Sequence, residues 1–119
     1  MVALGSPTWI LIVSGELDLM TGPALESRLD RLMATAIPAG LVLDLQGVTF
    51  MDAGGLRTIV RSANRYGDCI ALQRPSPPVS RVLRIVGLDD SLPILTQPWS
   101  STPPYAGVIL RHPLGAETF

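Results

Sequence analysis

Residues 41–60, Leu-Val-Leu-Asp-Leu-Gln-Gly-Val-Thr-Phe-Met-Asp-Ala-Gly-Gly-Leu-Arg-Thr-Ile-Val, constrain the fold more than any other part of the chain. Residues 41–45 form a short apolar run of the kind that is buried on both faces of a parallel sheet. The connection over residues 46–54 then places an acid, Asp52, directly before two glycines. After it, Leu56, Ile59, Val60 and Ala63 fall at i, i+3, i+4 and i+7, the apolar stripe of a helix. This order of strand, loop and helix predicts an open α/β sheet, in which functional groups collect where a strand's carboxyl end feeds a helix N-terminus. Asp52, Ala53, Gly54, Gly55 and Leu56 occupy that place. The free N–H groups of a first helical turn suit a phosphate or a carboxylate, and glycines let another surface approach closely.

The same stretch resembles the central motif of the STAS domain, found in bacterial anti-sigma factor antagonists and in regulatory modules of some transporters. In the antagonists the motif reads hydrophobic-Asp-Leu-x-x-Val-x-Phe-hydrophobic-Asp-Ser-Ser-Gly-Leu. Asp44, Leu45, Val48, Phe50, Met51, Asp52, Gly55 and Leu56 match it, whereas Ala53 and Gly54 stand at the two serine positions. Gly-Glu-Leu-Asp at residues 15–18 is a second, independent match, to the end of the family's second strand. The resemblance covers about residues 9–96. It implies a single STAS-like (SpoIIAA-like) α/β domain, a small mixed sheet with helices packed on it, over residues 1–97; residues 98–119, with Pro98, Pro103, Pro104 and Pro113 spaced through Ser, Thr and Gly, read from composition as a Pro-rich tail that departs from the family's usual last helix. The resemblance also implies a non-enzymatic binding module whose partner is an anti-sigma factor with a histidine-kinase-like ATPase fold, and which thereby releases a sigma factor. By resemblance Asp18 shares a partner-binding surface with Asp52, Ala53, Gly54, Gly55 and Leu56. The second serine, which the partner kinase phosphorylates in the antagonists, is Gly54 here, so no phosphoacceptor is expected at that position. Gly54→Ser should restore the hydroxyl with small steric change, provided Gly54 does not need a positive φ. A regulatory or structural STAS subunit of a signalling assembly or a membrane transporter is the alternative reading.

Composition narrows the classes further. The chain has 119 residues, a formal net charge of -1 and nine basic residues, all arginine, scattered along its length. That leaves no electrostatic footprint for nucleic acid, and direct DNA binding is not expected. The apolar run at residues 9–13 is too short for a membrane span or a signal-peptide core, so no membrane insertion and a cytoplasmic location are expected. A single cysteine, Cys69, and a single histidine, His112, predict neither an internal disulfide nor a metal cluster, and no cofactor is expected. A hydrolase would need a nucleophile beside a base, and no Gly-x-Ser-x-Gly elbow is present. No phosphate-binding glycine loop follows Gly55, so Asp18, Asp44 and Asp52 are not read as catalytic.

Taken in order, residues 9–13 read as a strand that ends at a bend or bulge at Ser14 and Gly15. Residues 1–4 are a candidate hairpin partner for it. Thr21 or Gly22 can cap a helix over residues 23–36, with Pro23 in its first turn and Leu25, Leu29, Leu32 and Met33 on its apolar face. Residues 69–72 form a short buried strand, which places Cys69 in the core. Ser76 and Pro77 open a helix over residues 77–86, with Gly87 as its C-terminal cap. Residues 92–96 read as a last strand. Residues 105–110 make a short edge strand or belong to a flexible tail, with Trp99 and Tyr105 available to pin it.

Overall fold

The computed structural model describes residues 8–35, 40–95 and 107–115. Strands and helices alternate: β1 (Thr8–Leu17), α1 (Gly22–Thr35), β2 (Gly40–Met51), α2 (Ala53–Tyr66), β3 (Ile70–Gln73), α3 (Pro77–Ile85) and β4 (Gly107–Pro113). The sheet order is β3-β2-β1-β4, and each neighbouring pair is parallel. The described strands are parallel throughout; the antiparallel strand that would make the sheet mixed is the one expected at residues 1–4, which are not among them. The reason lies in the connections: a helix between consecutive strands carries the chain back to the same end, so the next strand runs the same way. Trp99 and Tyr105 also lie outside the described residues.

A central strand of a parallel sheet must be apolar on both faces, and β2 is. Leu41, Val42, Leu43, Asp44 and Leu45 are all buried. Leu41, Leu43 and Leu45 join Leu11, Val13 and Leu17 of β1 in the main core. Leu25 and Leu29 of α1, Ile59 of α2, and Val79 and Leu83 of α3 close over that face, each from the stripe that periodicity assigns to it. Asp44, on the opposite face by the two-residue repeat, is the polar exception. Its carboxylate accepts from Gln73 Nε2 at 2.9 Å and from the backbone N–H of Gln46 at 3.1 Å, and Arg74 Nε stands 3.7 Å away. Asp44 thus fastens β2 to β3, a structural task that accounts for a buried acid.

Two bulges lengthen β2 beyond its expected end. Ile12 pairs with Asp44 but Ser14 with Gly47, and Gly15 pairs with Val48 but Glu16 with Phe50, so β2 carries one extra residue at each step. Bulges break the alternation of inward and outward side chains, which is why residues 46–51 read as a loop. The strand reaches Met51, and Asp52 alone connects it to α2. Likewise Ser14 and Gly15 mark a bulge rather than the end of β1. Gly15 has φ +99°, and a side chain there would press on the Leu114 carbonyl oxygen at 3.1 Å.

Three further expectations change in detail. The strand expected at residues 92–96 is reduced, in its described part, to one bridge between Leu72 and Ile94, in which the Leu72 N–H donates to the Pro93 carbonyl and the Leu72 carbonyl accepts from the Leu95 N–H. Ser76 stands at the N-cap of α3, but its buried hydroxyl makes no cap bond; Pro77 and Pro78 bring no N–H to the first two helical positions, which leaves Val79 as the first backbone donor. Cys69 lies in a single 3-10 turn, Gly67–Cys69, and is exposed, not buried. Gly67, at φ +52°, turns the chain out of α2, and β3 begins only at Ile70. Part of the Pro-rich stretch enters the sheet as β4, where Val108, Ile109 and Leu110 pair with Trp9, Ile10 and Leu11.

The first prediction comes from Gly55. A Cβ there would overlap the Leu17 carbonyl oxygen and come within 2.9 Å of Met51 Cγ. Gly55→Ala should cost about 1–3 kcal/mol in urea unfolding, as forced overpacking does. Gly40→Ala, whose nearest neighbour is 3.8 Å away, should change stability by less than about 0.5 kcal/mol. The second concerns Cys69: in native buffer it should react with a thiol reagent at a rate close to that of the denatured protein, and strong protection would contradict its exposure.

Candidate functional site

The carboxyl ends of β1 and β2 feed the turn before α1 and the first turn of α2. Asp52 ends β2 in extended conformation, and its Oδ1 accepts from the Gly55 N–H at 3.0 Å, while its carbonyl receives the Leu56 N–H at 2.9 Å. It is a helix N-cap, favoured there because a short carboxylate reaches the orphan donors of the first turn. Ala53 is exposed, Gly54 half-buried and Gly55 buried, while Leu56 leans on the core. Gly54 and Gly55 keep negative φ, so neither is there for a left-handed turn. They are there for space.

Asp18 organises the neighbouring turn. Its Oδ1 accepts from the N–H groups of Met20 at 2.9 Å and Thr21 at 3.0 Å. Thr21 Oγ1 accepts from the Asp18 N–H at 3.0 Å and donates to the Glu16 carbonyl at 2.8 Å. Thr21 therefore serves this turn and does not cap α1. The backbone N–H of Thr21, then those of Met20 and the Thr21 side chain, hold the Asp18 carboxyl below the ordinary aspartate range against a smaller opposing effect of burial. What this turn displays is apolar. Leu19 is 65% exposed and Met20 84%, and Phe50, on the adjoining end of β2, is also exposed.

The two loops meet at Gly54. A Cβ on Gly54 would lie 2.7 Å from both Cα and N of Leu19 and 2.9 Å from Leu19 Cβ. The small steric change expected for Gly54→Ser is thus corrected: conformation permits a side chain, but the Leu19 backbone occupies its space. Beside this contact Leu19, Asp52, Ala53, Gly54 and Arg57 line an open hollow of about 300 Å³. Of the candidate residues, Asp52, Ala53 and Gly54 line this hollow and Asp18 lies in the adjoining turn, whereas Gly55 is buried and Leu56 packs on the core; the structure adds Leu19, Met20, Phe50 and Arg57 as exposed neighbours. The sequence carries one sign of this, an apolar Leu-Met pair set in an otherwise polar turn.

Behind the site α1 and α2 are clasped on their outer faces. The Asp30 carboxylate accepts from Arg65 Nη1 at 2.8 and 2.9 Å and from the Tyr66 hydroxyl. Tyr66 and then Arg65 hold the Asp30 carboxyl low, and Asp30 in turn raises Arg65. Burial first, and then the bond to Asp30, raise the Tyr66 hydroxyl. Arg61 adds an ion pair with Glu26 at 3.6 Å. Such exposed pairs steady the helices more than they stabilise them. Among the described residues no group of histidine, cysteine, aspartate and glutamate could hold a metal ion, and no helix is long and apolar enough to cross a membrane.

Residues 4–99 match the family model of the STAS domain. The anti-sigma-F factor antagonist RsfB of Mycobacterium tuberculosis is 31% identical over 83 residues, 67% of this chain and 66% of the relative's length. The anti-sigma F factor antagonist of Paenibacillus polymyxa is 33% identical over 88 residues, 71% of this chain and 75% of its own. Among solved structures, an anti-sigma factor antagonist from Mycobacterium paratuberculosis superposes with a TM-score of 0.60 at 29% identity, covering 72% of this chain and 78% of that one. Unphosphorylated SpoIIAA shares the fold, with a TM-score of 0.59 at 19% identity over 80% of this chain and 85% of its own.

The lowered Asp18 pKa gives the third prediction. A carboxyl whose pKa is lower folded than unfolded stabilises the turn above the ordinary aspartate range, and that contribution is lost as pH falls through the lowered value. The Asp18 carboxyl resonance should titrate below that of a free aspartate. Asp18→Ala should speed hydrogen exchange at Met20 and Thr21 at neutral pH by on the order of tenfold, with little change in global stability.

Proposed function

Because the chain belongs to the STAS domain family, we propose that it is a non-enzymatic binding module that sequesters an anti-sigma factor with a histidine-kinase-like ATPase fold and so releases a sigma factor. The observation that carries this reading is the capped first turn of α2, Asp52 to Leu56, abutting the exposed Leu19 and Met20, in a chain whose curated relatives are anti-sigma factor antagonists. Apolar side chains held outward on a rigid turn suit protein docking, since little conformational entropy remains to be lost on binding. Binding in this reading is not ended by phosphorylation of the loop. Gly54 brings no hydroxyl to the position where the family's motif has its second serine. The next hydroxyl along α2, that of Thr58, is buried, 3% exposed, and turned to the Gly54 carbonyl at 3.5 Å.

The fourth prediction tests this directly. In calorimetric titrations against each anti-sigma factor encoded in the same genome, one should bind saturably and release its sigma factor. Preincubation with Mg-ATP should leave the affinity unchanged and add no phosphate to residues 52–58 by mass spectrometry. Failure of every anti-sigma factor to bind would overturn the antagonist reading. Loss of binding on adding ATP, with phosphate found on that loop, would overturn only the claim of independence from phosphorylation.

A further inference from the structure

The contact between Leu19 and Gly54 assigns Gly54 a role that does not depend on any modification. Leu19 and Met20 sit on a turn anchored from below by Asp18 and Thr21, and its upper side is set by the first turn of α2. The seat exists only because residue 54 has no Cβ: the atoms such a carbon would meet at 2.7 Å are backbone, which cannot rotate away as a side-chain tip can. We propose that Gly54 is a positioning residue, whose missing side chain lets the Leu19 backbone rest on α2 and so sets Leu19 and Met20 as the apolar anchors of the partner interface. A side chain at residue 54 then weakens binding by displacing these anchors, whether or not it carries charge. The inference rests on the antagonist reading for the identity of the partner.

The surroundings fix the chemistry of the surface that fits. Asp52 lines the hollow beside Leu19, with Arg57 as the adjoining base, and the Asp18 carboxylate lies in the turn that carries the two anchors. The complementary face of the anti-sigma factor is therefore an apolar recess, for Leu19 and Met20, edged by basic side chains. The arrangement follows the general anatomy of an interface, a desolvated apolar centre within a charged rim.

The test combines a readout without partner and a double-mutant cycle. In the isolated protein, Gly54→Ala should shift the amide resonances of Leu19, Met20 and Thr21 while leaving those of β3 in place. Unchanged resonances at the turn would overturn the positioning role. Against the anti-sigma factor found in the titrations above, Met20→Ala should weaken binding by about tenfold or more, the order expected for losing a buried methionine side chain. Met20 is 84% exposed, so this variant keeps its fold. Gly54→Ala should weaken binding in wild type, but add little in the Leu19→Ala/Met20→Ala background, where there are no anchors left to misplace. Equal losses from Gly54→Ala in both backgrounds would show that residue 54 acts on the partner directly, and tight binding by Met20→Ala would remove the anchors from the interface. If no anti-sigma factor binds, the interface role falls together with the antagonist reading, while the amide resonances still decide whether Gly54 seats the turn.

Discussion

The structure depends on how closely the end of β1 and the turn after it approach the first turn of α2. Two glycines make the approach possible, and they act on different neighbours. Gly55 admits the Leu17 carbonyl, so that the last residue of β1 can lie against the helix, and Gly54 admits the backbone of Leu19 one step further on. With side chains at both positions the two elements would be pushed apart at the end of the sheet where their loops meet. Interiors are packed too densely to absorb such a displacement locally.

This contact also explains how polar and apolar tasks are divided at the site. The carboxylates of Asp18 and Asp52 are engaged by backbone N–H groups, each closing its own turn. Hydrogen bonds of this kind rigidify a loop without consuming its outward face. Leu19 and Met20 are left exposed by the same geometry, because the backbone beneath them is fixed at Asp18 on one side and at Gly54 on the other. The acids hold the surface and the apolar residues constitute it. Asp44, the third acid, does neither: it lies in the sheet, bonded to Gln73 and Gln46, and strengthens the pairing of β2 with β3.

The bulges in β2 connect the sheet to this arrangement. Each extra residue bends the strand and increases its twist. Through two of them β2 keeps pairing with β1 as far as Met51 opposite Leu17, so both strands finish together. A β2 ending at Leu45 would leave a long connection to α2, and Asp52 would be carried on a loop in place of a strand end. Positioned at the end of a paired strand, Asp52 enters the helix directly as its cap.

What the sequence determined by itself was whatever depends on residues within a turn or two of each other. The apolar stripes marked α1, α2 and α3, Asp52 before two glycines marked a cap and a close approach, and the motif over residues 41–56 identified the family and the loop. What only the tertiary structure decided involves partners distant in sequence. The all-parallel pairing of the described strands, the run of β2 through two bulges, the placing of β4 beside β1 and the seating of Leu19 on Gly54 each join segments that local pattern cannot relate. Cys69 shows the limit at short range. Its apolar neighbours suggested a buried strand, but Gly67 at positive φ starts a 3-10 turn that keeps the thiol outside until Ile70 enters the sheet. Local patterns encode which face of an element is apolar, while the space left between two elements is fixed only when their backbones meet.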